Sequence, residues 1–404
     1  MRISTAQIYD RGVDSIERQQ TVLSRNQERI ASGKRIQTPS DDPVGAAQTV
    51  TVTQSKDRLG QYDANVAAAG DALGQNDSVL SQIQDLLQSV RTTAVSGNNA
   101  SLSDRDRQSL SNDVAGQLQQ LITLANSRDG DGRYLFAGYG SATQPFAADA
   151  AGVVGYNGDQ GQRTLEVAPG RSMPIAFDGS SAFMQVRNGN GSFAVTPAPA
   201  NAGTGVASVG SSVAPTLLPG DTYRLQFNVA GSVTTYDVLD VTSGSTVSTG
   251  NAYASGSAIT VAGMQVSVSG APATGDTFTL APSSSQSLFA TLQALVTTLA
   301  TPTAGNAAAA AAVQNGIGSA LANLDQGLDH VLSLRASAGA SLRELDDLSN
   351  GNSARSVQYD QTLSRLNDLD YNKALSDFAR QQLALEAAQK SFAQVSKLSL
   401  FDYL

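Results

Sequence analysis

The two ends of this chain share one sequence pattern, and the middle has another. Residues 1–140 and 285–404 are long amphipathic stretches with almost no proline, as long helices require. Residues 141–284 are rich in Gly, Ser, Thr and Val, and their short β-branched or alternating runs are bounded by turn residues. We therefore predict a mainly α chain with an inserted all-β domain, whose long terminal helices form an antiparallel bundle or coiled coil.

Turn and capping residues place the N-terminal helices. A first helix over 5–32 is expected to end at Gly33, because glycine is favoured just past a helix C-terminus. Ser40 is expected to cap a second helix over 43–96, with Pro43 in its first turn.

The C-terminal half predicts an Ala-rich helix over 306–349 and a straight, uninterrupted helix over 353–398, because no Gly or Pro follows Gly351. In the middle, 259–268 has the composition of a single strand. The stretch 197–215 has few large apolar residues, so we expect a mobile loop there.

The same pattern suggests a division into paired segments. An N-terminal coiled-coil segment (1–42) is expected to pair with 371–404. A helical rod (43–140) is expected to pair with 285–370. The inserted β domain (141–284) is expected to lie on the outside.

Apolar residues recur every seven positions in the first and last helices, which is the spacing of a coiled-coil seam. Val13 and Val22 are expected to widen the N-terminal stripe. The candidate assembly interface consists of Ile16, Leu23, Ile30, Tyr371, Phe378, Leu385, Phe392 and Val395.

Composition argues against most enzymatic and nucleic-acid functions. The formal net charge of −9 disfavours wrapping of nucleic acid, and the absence of cysteine removes thiolate nucleophiles and Cys-type zinc sites. His330 is the only histidine, and no nucleophile motif accompanies it. Asp129 begins an Asp-Gly-Asp-Gly run without the Glu that an EF-hand needs, so we read a turn. We expect no catalytic, metal-binding or cofactor-binding residues and no enzyme.

No apolar run is long enough for a membrane span, and residues 1–7 do not resemble a secretory signal peptide. We therefore expect no membrane span and no cleaved signal.

Short motifs near both ends are specific enough to compare with known families. They are Met1-Arg2-Ile3-Ser4-Thr5, Ser32-Gly33-Lys34-Arg35-Ile36, Pro39-Ser40-Asp41-Asp42-Pro43-Val44, Arg133-Tyr134-Leu135-Phe136-Ala137-Gly138, Gln389-Lys390-Ser391-Phe392 and Leu398-Ser399-Leu400-Phe401-Asp402-Tyr403-Leu404. In this order they resemble the flagellin family of bacteria. Filament flagellins usually have Ser-Ala-Lys-Asp-Asp-Ala-Ala at the connector, so Pro43 favours the hook-associated members of that family.

This resemblance implies a flagellin-like fold and an extracellular structural protein of the bacterial flagellum, located at the hook–filament junction. It implies a homo-oligomeric ring between the first hook-associated protein and filament flagellin. It also implies type III export without a cleaved signal, assisted by a flagellar export chaperone. Terminal helices in this family are typically unfolded in the free monomer and become ordered on assembly.

Two alternatives remain open from the sequence. Within the family, the chain could be filament flagellin or the first hook-associated protein, although Pro43 and the C-terminal motif argue against both. From another class, it could be a soluble coiled-coil scaffold or adhesin whose β domain binds a ligand. That reading predicts ordered termini in a monomer or dimer.

Overall fold

A computed structural model describes residues 5–215 and 220–397 of the chain. Helices occupy both ends and strands the middle, so the predicted fold class is confirmed. The described residues form six α-helices: α1 (Thr5–Ser32), α2 (Pro43–Gly97), α3 (Asp104–Ala125), α4 (Leu288–Ala300), α5 (Ala307–Asn367) and α6 (Tyr371–Lys397).

The described strands lie between α3 and α4, together with a π-helical turn over Ser180–Met184. They are β1 (Phe146–Ala148), β2 (Val154–Tyr156), β3 (Thr164–Ala168), β4 (Arg171–Pro174), β5 (Val186–Arg187), β6 (Phe193–Pro197), β7 (Val206–Ala207), β8 (Ser211–Ser212), β9 (Tyr223–Ala230), β10 (Val233–Asp240), β11 (Ser245–Ala252), β12 (Ala258–Val261), β13 (Met264–Ser269), β14 (Thr277–Pro282) and β15 (Ser285–Gln286).

Local residues explain the N-terminal helix boundaries. α1 is followed by Gly33, whose φ of 69° is the left-handed conformation of a glycine at a helix C-terminus. Pro43 is the first residue of α2, as predicted. At the start of α3, the Ser103 side chain accepts a hydrogen bond from the Asp106 N–H, and the Asp106 carboxylate accepts one from the Ser103 N–H. This reciprocal pair is a capping box, which satisfies two backbone donors at the helix end.

The C-terminal helices differ from the prediction. α5 continues through Gly351 and ends at Asn367, so the helices expected over 306–349 and 353–398 are wrong in their boundaries. A glycine inside a helix costs only about 0.5–1 kcal/mol relative to alanine, which a long packed helix tolerates. The break falls instead at 368–370, which contains no Gly or Pro to mark it.

The described residues form two compact units. The first consists of the described parts of Met1–Ala64 and Asp347–Leu404, which include α1, α6 and the adjoining ends of α2 and α5. The second is Asn65–Asp346 and contains the rest of α2 and α5, with α3, α4 and the strands. The division into paired functional segments, which the sequence pattern suggested, stays a prediction.

α2 and α5 run antiparallel through the second unit. Asp77 of α2 pairs with Arg335 of α5 at 2.9 Å, and Arg91 further along α2 pairs with Asp325 earlier in α5 at 2.6 Å. These pairs lie at the surface beside the apolar contact, so they contribute to register more than to stability.

The second unit contains a helical core that extends into the strand region. Side chains from α2, α3, α4 and α5 form most of it. Phe146 of β1 and Phe183 of the π-helical turn are fully buried in the same core, with their ring centroids 5.6 Å apart. The first part of the strand region therefore packs with the helices.

A separate core lies among the later strands. It joins a five-stranded antiparallel sheet, in the order β11-β10-β9-β14-β6, to a smaller sheet in the order β12-β13-β7. Tyr223, Leu225 and Phe227 alternate along β9 and are all buried in this core, as a period of two residues requires. Leu225 lies opposite Phe278 of β14 in the antiparallel register.

The single strand expected over 259–268 is wrong. The segment is a hairpin in which β12 pairs with β13, and Ala262 and Gly263 form the turn with φ of 46° and 82°. Two consecutive positive φ angles suit the right-handed twist of a tight hairpin. The apolar pattern continues across the turn, which hides it in the sequence.

The loop expected over 197–215 is also wrong for part of its length. The segment contains β7 and β8, which both pair with β13. Asn315 of α5 holds β7 in place: its side chain accepts from the Ala207 N–H at 2.8 Å and donates to the Gly205 carbonyl at 2.9 Å. Backbone pairing of this kind needs no large apolar side chains, so composition does not reveal it.

Candidate assembly interface

The first and last helices form an antiparallel pair in the first unit. The ring centroid of Tyr9, near the start of α1, lies 5.2 Å from the ring centroid of Phe392, near the end of α6. Further along α1, the Asn26 side-chain amide donates to the Gln381 side chain at 3.1 Å. The order of these contacts shows that the two helices run in opposite directions.

Most of the predicted heptad residues are half-buried, and the pair covers them only in part. Tyr371 is 50% exposed. The side chain of Val395 and residues 398–404 lie outside the described part of the chain. Of the described side chains in α1 and α6, Ala374 alone is fully buried. The half-buried residues are Ile16, Leu23, Ile30, Phe378, Leu385 and Phe392.

Gly12 allows the two helices to approach closely. A Cβ atom at this position would lie 2.6 Å from Cδ2 of Phe392, which is closer than real carbon contacts. Phe392 therefore packs over the bare backbone of Gly12 and meets the edge of Tyr9 one turn away. Heptad counting misses both partners, because a helical glycine and an aromatic outside the seam do not fit its pattern.

Several apolar side chains of the pair are exposed. Val13 and Val22 were expected to widen the packed stripe, and this is wrong. They are nine residues or about two and a half turns apart, so they lie on opposite sides of the stripe, and both side chains are exposed. The exposed set and its exposed fractions are Tyr9 42%, Val13 41%, Val22 46%, Leu375 52% and Leu383 69%.

The break between α5 and α6 lies beside the connector that follows α1. The Arg35 N–H donates to the Asn367 carbonyl at 2.7 Å, and the Leu369 N–H donates to the Gly33 carbonyl at 3.0 Å. The Arg35 guanidinium also donates to the Leu366 carbonyl at 2.7 Å. Backbone groups freed by the two helix ends therefore satisfy one another.

Asp42, and not Ser40, caps α2. The Asp42 carboxylate accepts from the Gly45 N–H at 2.8 Å, and its carbonyl accepts the first helical bond. Because Pro43 takes the first helical position, the cap must be the residue directly before it. The Ser40 hydroxyl instead lies 2.8 Å from the hydroxyl of Thr38.

Asp41 holds the connector itself. Its carboxylate accepts from the backbone N–H groups of Thr38 (3.1 Å) and Gln37 (3.2 Å), and it lies 3.3 Å from the Arg29 guanidinium. These bonds, with that of the Thr38 N–H first, lower the pKa of Asp41 below its usual value. The conformation of the connector is therefore most stable when Asp41 is ionised.

The residues that could carry chemistry have structural partners. The His330 ring Nε2 lies 2.9 Å from the Ser181 carbonyl oxygen. The turn predicted at Asp129 is confirmed, since its carboxylate accepts from the N–H groups of Asp131 and Arg133. The described residues contain no group of acidic or histidine side chains that could hold a metal ion, and none of their helices is apolar enough over sufficient length to cross a membrane.

Known proteins resemble this chain along most of its length. Residues 3–141 match the family model of the bacterial flagellin N-terminal helical region. Flagellar hook-associated protein 3 of Salmonella typhimurium is 28% identical over 402 residues, which cover 100% of this chain and 99% of that protein.

Two solved structures have the same fold. Xanthomonas campestris FlgL is 34% identical with a TM-score of 0.71, over 78% of this chain and 99% of that one. The flagellar junction protein FlgL of Legionella pneumophila is 30% identical with a TM-score of 0.72, over 80% of this chain and 100% of that one. The resemblance inferred from the terminal motifs is thereby confirmed, and the similarity extends well beyond the terminal helices. The chain belongs to the FlgL family of flagellar hook-associated proteins.

Proposed function

We propose that this chain is a structural adaptor of the bacterial flagellum, which joins the first hook-associated protein to filament flagellin at the hook–filament junction. The observation that carries the proposal is the incompletely covered pair of α1 and α6. Its described side chains include a single fully buried residue, Ala374, while large apolar residues such as Leu375 and Leu383 face outward. Such a surface suits contact with other helices.

Assembly would stabilise the terminal helices by burying these exposed faces. Apolar surface contributes about 25 cal/mol per Å² buried, whereas fixing each backbone residue costs about 1–2 kcal/mol. In an isolated pair of helices, the small apolar area that is buried offsets only a small part of that cost. We therefore expect α1 and α6 to become ordered together with their neighbours in the flagellum.

The finer parts of the proposal concern export and partners. We propose that the subunit leaves the cell unfolded through the flagellar type III apparatus, with help from an export chaperone and without a cleaved signal peptide. It then forms a homo-oligomeric ring outside the cell. The absence of cysteine is compatible with this route, because folding after export does not depend on oxidation. No enzymatic activity belongs to this role, and His330 is engaged structurally.

The test uses a strain that lacks this gene, complemented with wild type, Leu383→Glu or Val153→Glu. Leu383 (69% exposed) lies on α6, and Val153 (60% exposed) lies in the strand region. Both changes place a carboxylate on an exposed apolar site, so Val153→Glu is the matched control. We expect the deletion and Leu383→Glu strains to release flagellin into the medium from hooks without filaments, while Val153→Glu cells swim.

Full-length, retained filaments on the deletion strain would refute the adaptor role itself. Normal filaments with Leu383→Glu alone would remove the exposed face of α6 from the assembly contact.

A further inference from the structure

Five asparagines of this chain directly precede a glycine, and asparagine is chemically labile in that position. The backbone nitrogen of the glycine can attack the side-chain amide carbon of the asparagine, because glycine has no Cβ atom to hinder the approach. This attack needs a glycine N–H that is not held in a hydrogen bond. The five residues are Asn157, Asn188, Asn190, Asn315 and Asn350.

Two of these asparagines lie inside α5, and the helix protects them. The glycine N–H groups that follow Asn315 and Asn350 donate to carbonyl groups one turn earlier in the helix. Helical geometry also directs each side chain toward the helix N-terminus, away from the next backbone nitrogen. Asn350 is exposed, so exposure alone does not make an asparagine of this kind reactive.

Two more lie where the chain enters the separate core of the later strands, and hydrogen bonds hold both. The Gly189 N–H donates to the Asn323 side chain at 2.7 Å, and the Gly191 N–H donates to the carbonyl of Asn188 at 3.2 Å. The side-chain amide of Asn188 donates to a serine hydroxyl at 3.2 Å. The side-chain amide of Asn190 donates to a backbone carbonyl, also at 3.2 Å. The attacking nitrogen and the attacked amide are therefore both engaged.

Asn157 has none of these protections. It directly follows β2, outside any helix, and its side chain is exposed. Within residues 5–215 and 220–397, neither its side-chain amide nor the Gly158 N–H has a hydrogen-bond partner. The Asn157 N–H donates to the Pro145 carbonyl at 2.7 Å, so this residue is held only through its own backbone.

We propose that Asn157 is a site of spontaneous deamidation. The Gly158 nitrogen bonds to the side-chain amide carbon of Asn157, and the bond from that carbon to the amide nitrogen breaks. The Gly158 proton leaves with the amide nitrogen as ammonia, and a five-membered succinimide ring remains. A water molecule then opens the ring at either carbonyl, which gives aspartate or isoaspartate. This chemistry does not depend on the adaptor role.

The modification lies two residues before a carboxylate that holds a loop contact. The Asp159 carboxylate accepts from the N–H groups of Tyr139 at 2.9 Å and Gly140 at 2.7 Å. Isoaspartate adds one carbon to the backbone between residue 157 and Gly158, and both products add a negative charge close to Asp159 in the chain. We therefore expect the contact between this loop and the turn at 139–140 to loosen as the protein ages.

Peptide mapping measures the reaction directly. Full-length protein is incubated at neutral pH in heavy-oxygen water, either folded or unfolded in guanidinium chloride, and then digested for mass spectrometry. Heavy oxygen labels each asparagine that deamidates during the incubation. In the folded protein we expect Asn157 to be labelled several-fold faster than the other four, and in the unfolded protein we expect all five to be labelled at similar rates. No labelling of Asn157 in the folded protein, or labelling of Asn350 or Asn190 at the same rate, overturns the inference.

The variant N157Q tests the consequence, because a glutamine side chain would have to close a larger ring and deamidates far more slowly. Hydrogen exchange is measured at the Tyr139 and Gly140 amides in fresh and in aged samples. We expect faster exchange in aged wild type than in fresh wild type, and no change on ageing of N157Q. Equal changes in both proteins, or no change in wild type after Asn157 has been labelled, would show that deamidation does not loosen this contact.

Discussion

At the scale of single residues, Asp104 connects α3 to the segment between α4 and α5. Its carboxylate accepts from the N–H and the hydroxyl of Thr303, both at 3.0 Å, and from the Ala304 N–H at 3.3 Å. The buried Arg107 pairs with the same carboxylate and donates to the Thr303 hydroxyl at 2.6 Å. These bonds, with that of the Thr303 N–H first, lower the pKa of Asp104 below its usual value.

We predict that Asp104→Asn lowers the urea midpoint of unfolding at pH 7 and lowers it less at pH 3. A carboxyl whose pKa is lower in the folded state stabilises the fold above its unfolded pKa of about 3.9, and this contribution disappears as the pH falls through the folded pKa. Asp131→Asn is the control, because its side chain is 72% exposed and lies 3.6 Å from Arg133. An equal loss at both pH values would show that the charge of Asp104 is not what matters.

Two helical glycines in the first unit should respond in opposite ways to the same substitution. Gly12→Ala places a Cβ atom 2.6 Å from Cδ2 of Phe392, so the Phe392 ring or the two helices must shift and the packing of α1 on α6 is disturbed. Gly60→Ala meets nothing within 4 Å and should favour the helix by about 0.5–1 kcal/mol. We expect Gly12→Ala filaments to detach at lower shear than wild type and Gly60→Ala filaments to be retained as well as wild type. Equal retention in all three strains would show that close packing at Gly12 is unimportant for the junction.

At the scale of elements, sequence signals predicted helix ends that depend on local residues and missed a helix end that depends on a distant segment. Gly33 and Pro43 mark helix ends through their own backbone preferences, and the structure has helix boundaries at both. The break at 368–370 depends on backbone pairing with a connector more than 300 residues away, so no local signal exists. The expected break at Gly351 failed because packing outweighs the small cost of a helical glycine.

The candidate interface shows the same limit. Heptad spacing identifies Leu23 and Leu385 as members of a stripe, because seven residues are close to two helical turns. It does not say which neighbour covers each residue. Val13 and Val22 looked like additions to the stripe, but their phase around the helix places them on opposite flanks. Only the position of α6 separates packed from exposed residues.

The packed face of α6 provides a prediction about a single element. Leu385→Pro removes a helical hydrogen bond and clashes with the preceding turn, costing about 3 kcal/mol or more. Leu385 is half-buried, so Leu385→Ala removes some packing and keeps the helix. We expect Leu385→Pro to abolish filament attachment without preventing export, and Leu385→Ala to weaken retention under shear. Normal swimming by Leu385→Pro cells, with full-length filaments, would exclude this helix from the joint.

The free monomer should be most sensitive to protease in its terminal helices. The described side chains of α1 and α6 include one fully buried residue, Ala374, whereas the second unit has two well-buried cores. Regions with few buried contacts open at low free-energy cost. Limited proteolysis followed by mass spectrometry should find early cuts within Thr5–Ser32 and Tyr371–Lys397. Early cuts within the strand region, with both termini intact, would contradict ordering on assembly.

At the scale of the whole molecule, the strand region serves two cores. Phe146 and Phe183 belong to the helical core, while residues from Phe193 to Leu280 form a core without helical side chains. The chain enters and leaves this second core at neighbouring points, since the Asn188 N–H donates to the Ser284 carbonyl at 3.0 Å. Composition alone does not show this division, because strands that pack on helices and strands that pack on strands use the same residue types.

This division determines how the strand region can be removed. Replacing 191–282 by a short Gly-Ser linker removes the second core and keeps the hydrogen-bonded point where the chain enters and leaves it. The helical core should therefore keep its thermal transition, and the cells should retain partial motility. Replacing 141–284 also removes Phe146 and Phe183, and losing one buried Phe side chain costs about 3–5 kcal/mol. We therefore expect the longer excision to lose the cooperative transition and the filaments. Calorimetry of both purified chains and swimming assays of both strains provide the comparison. If the shorter excision abolishes filament growth while its helical core still melts cooperatively, then the second core itself makes contacts that assembly requires.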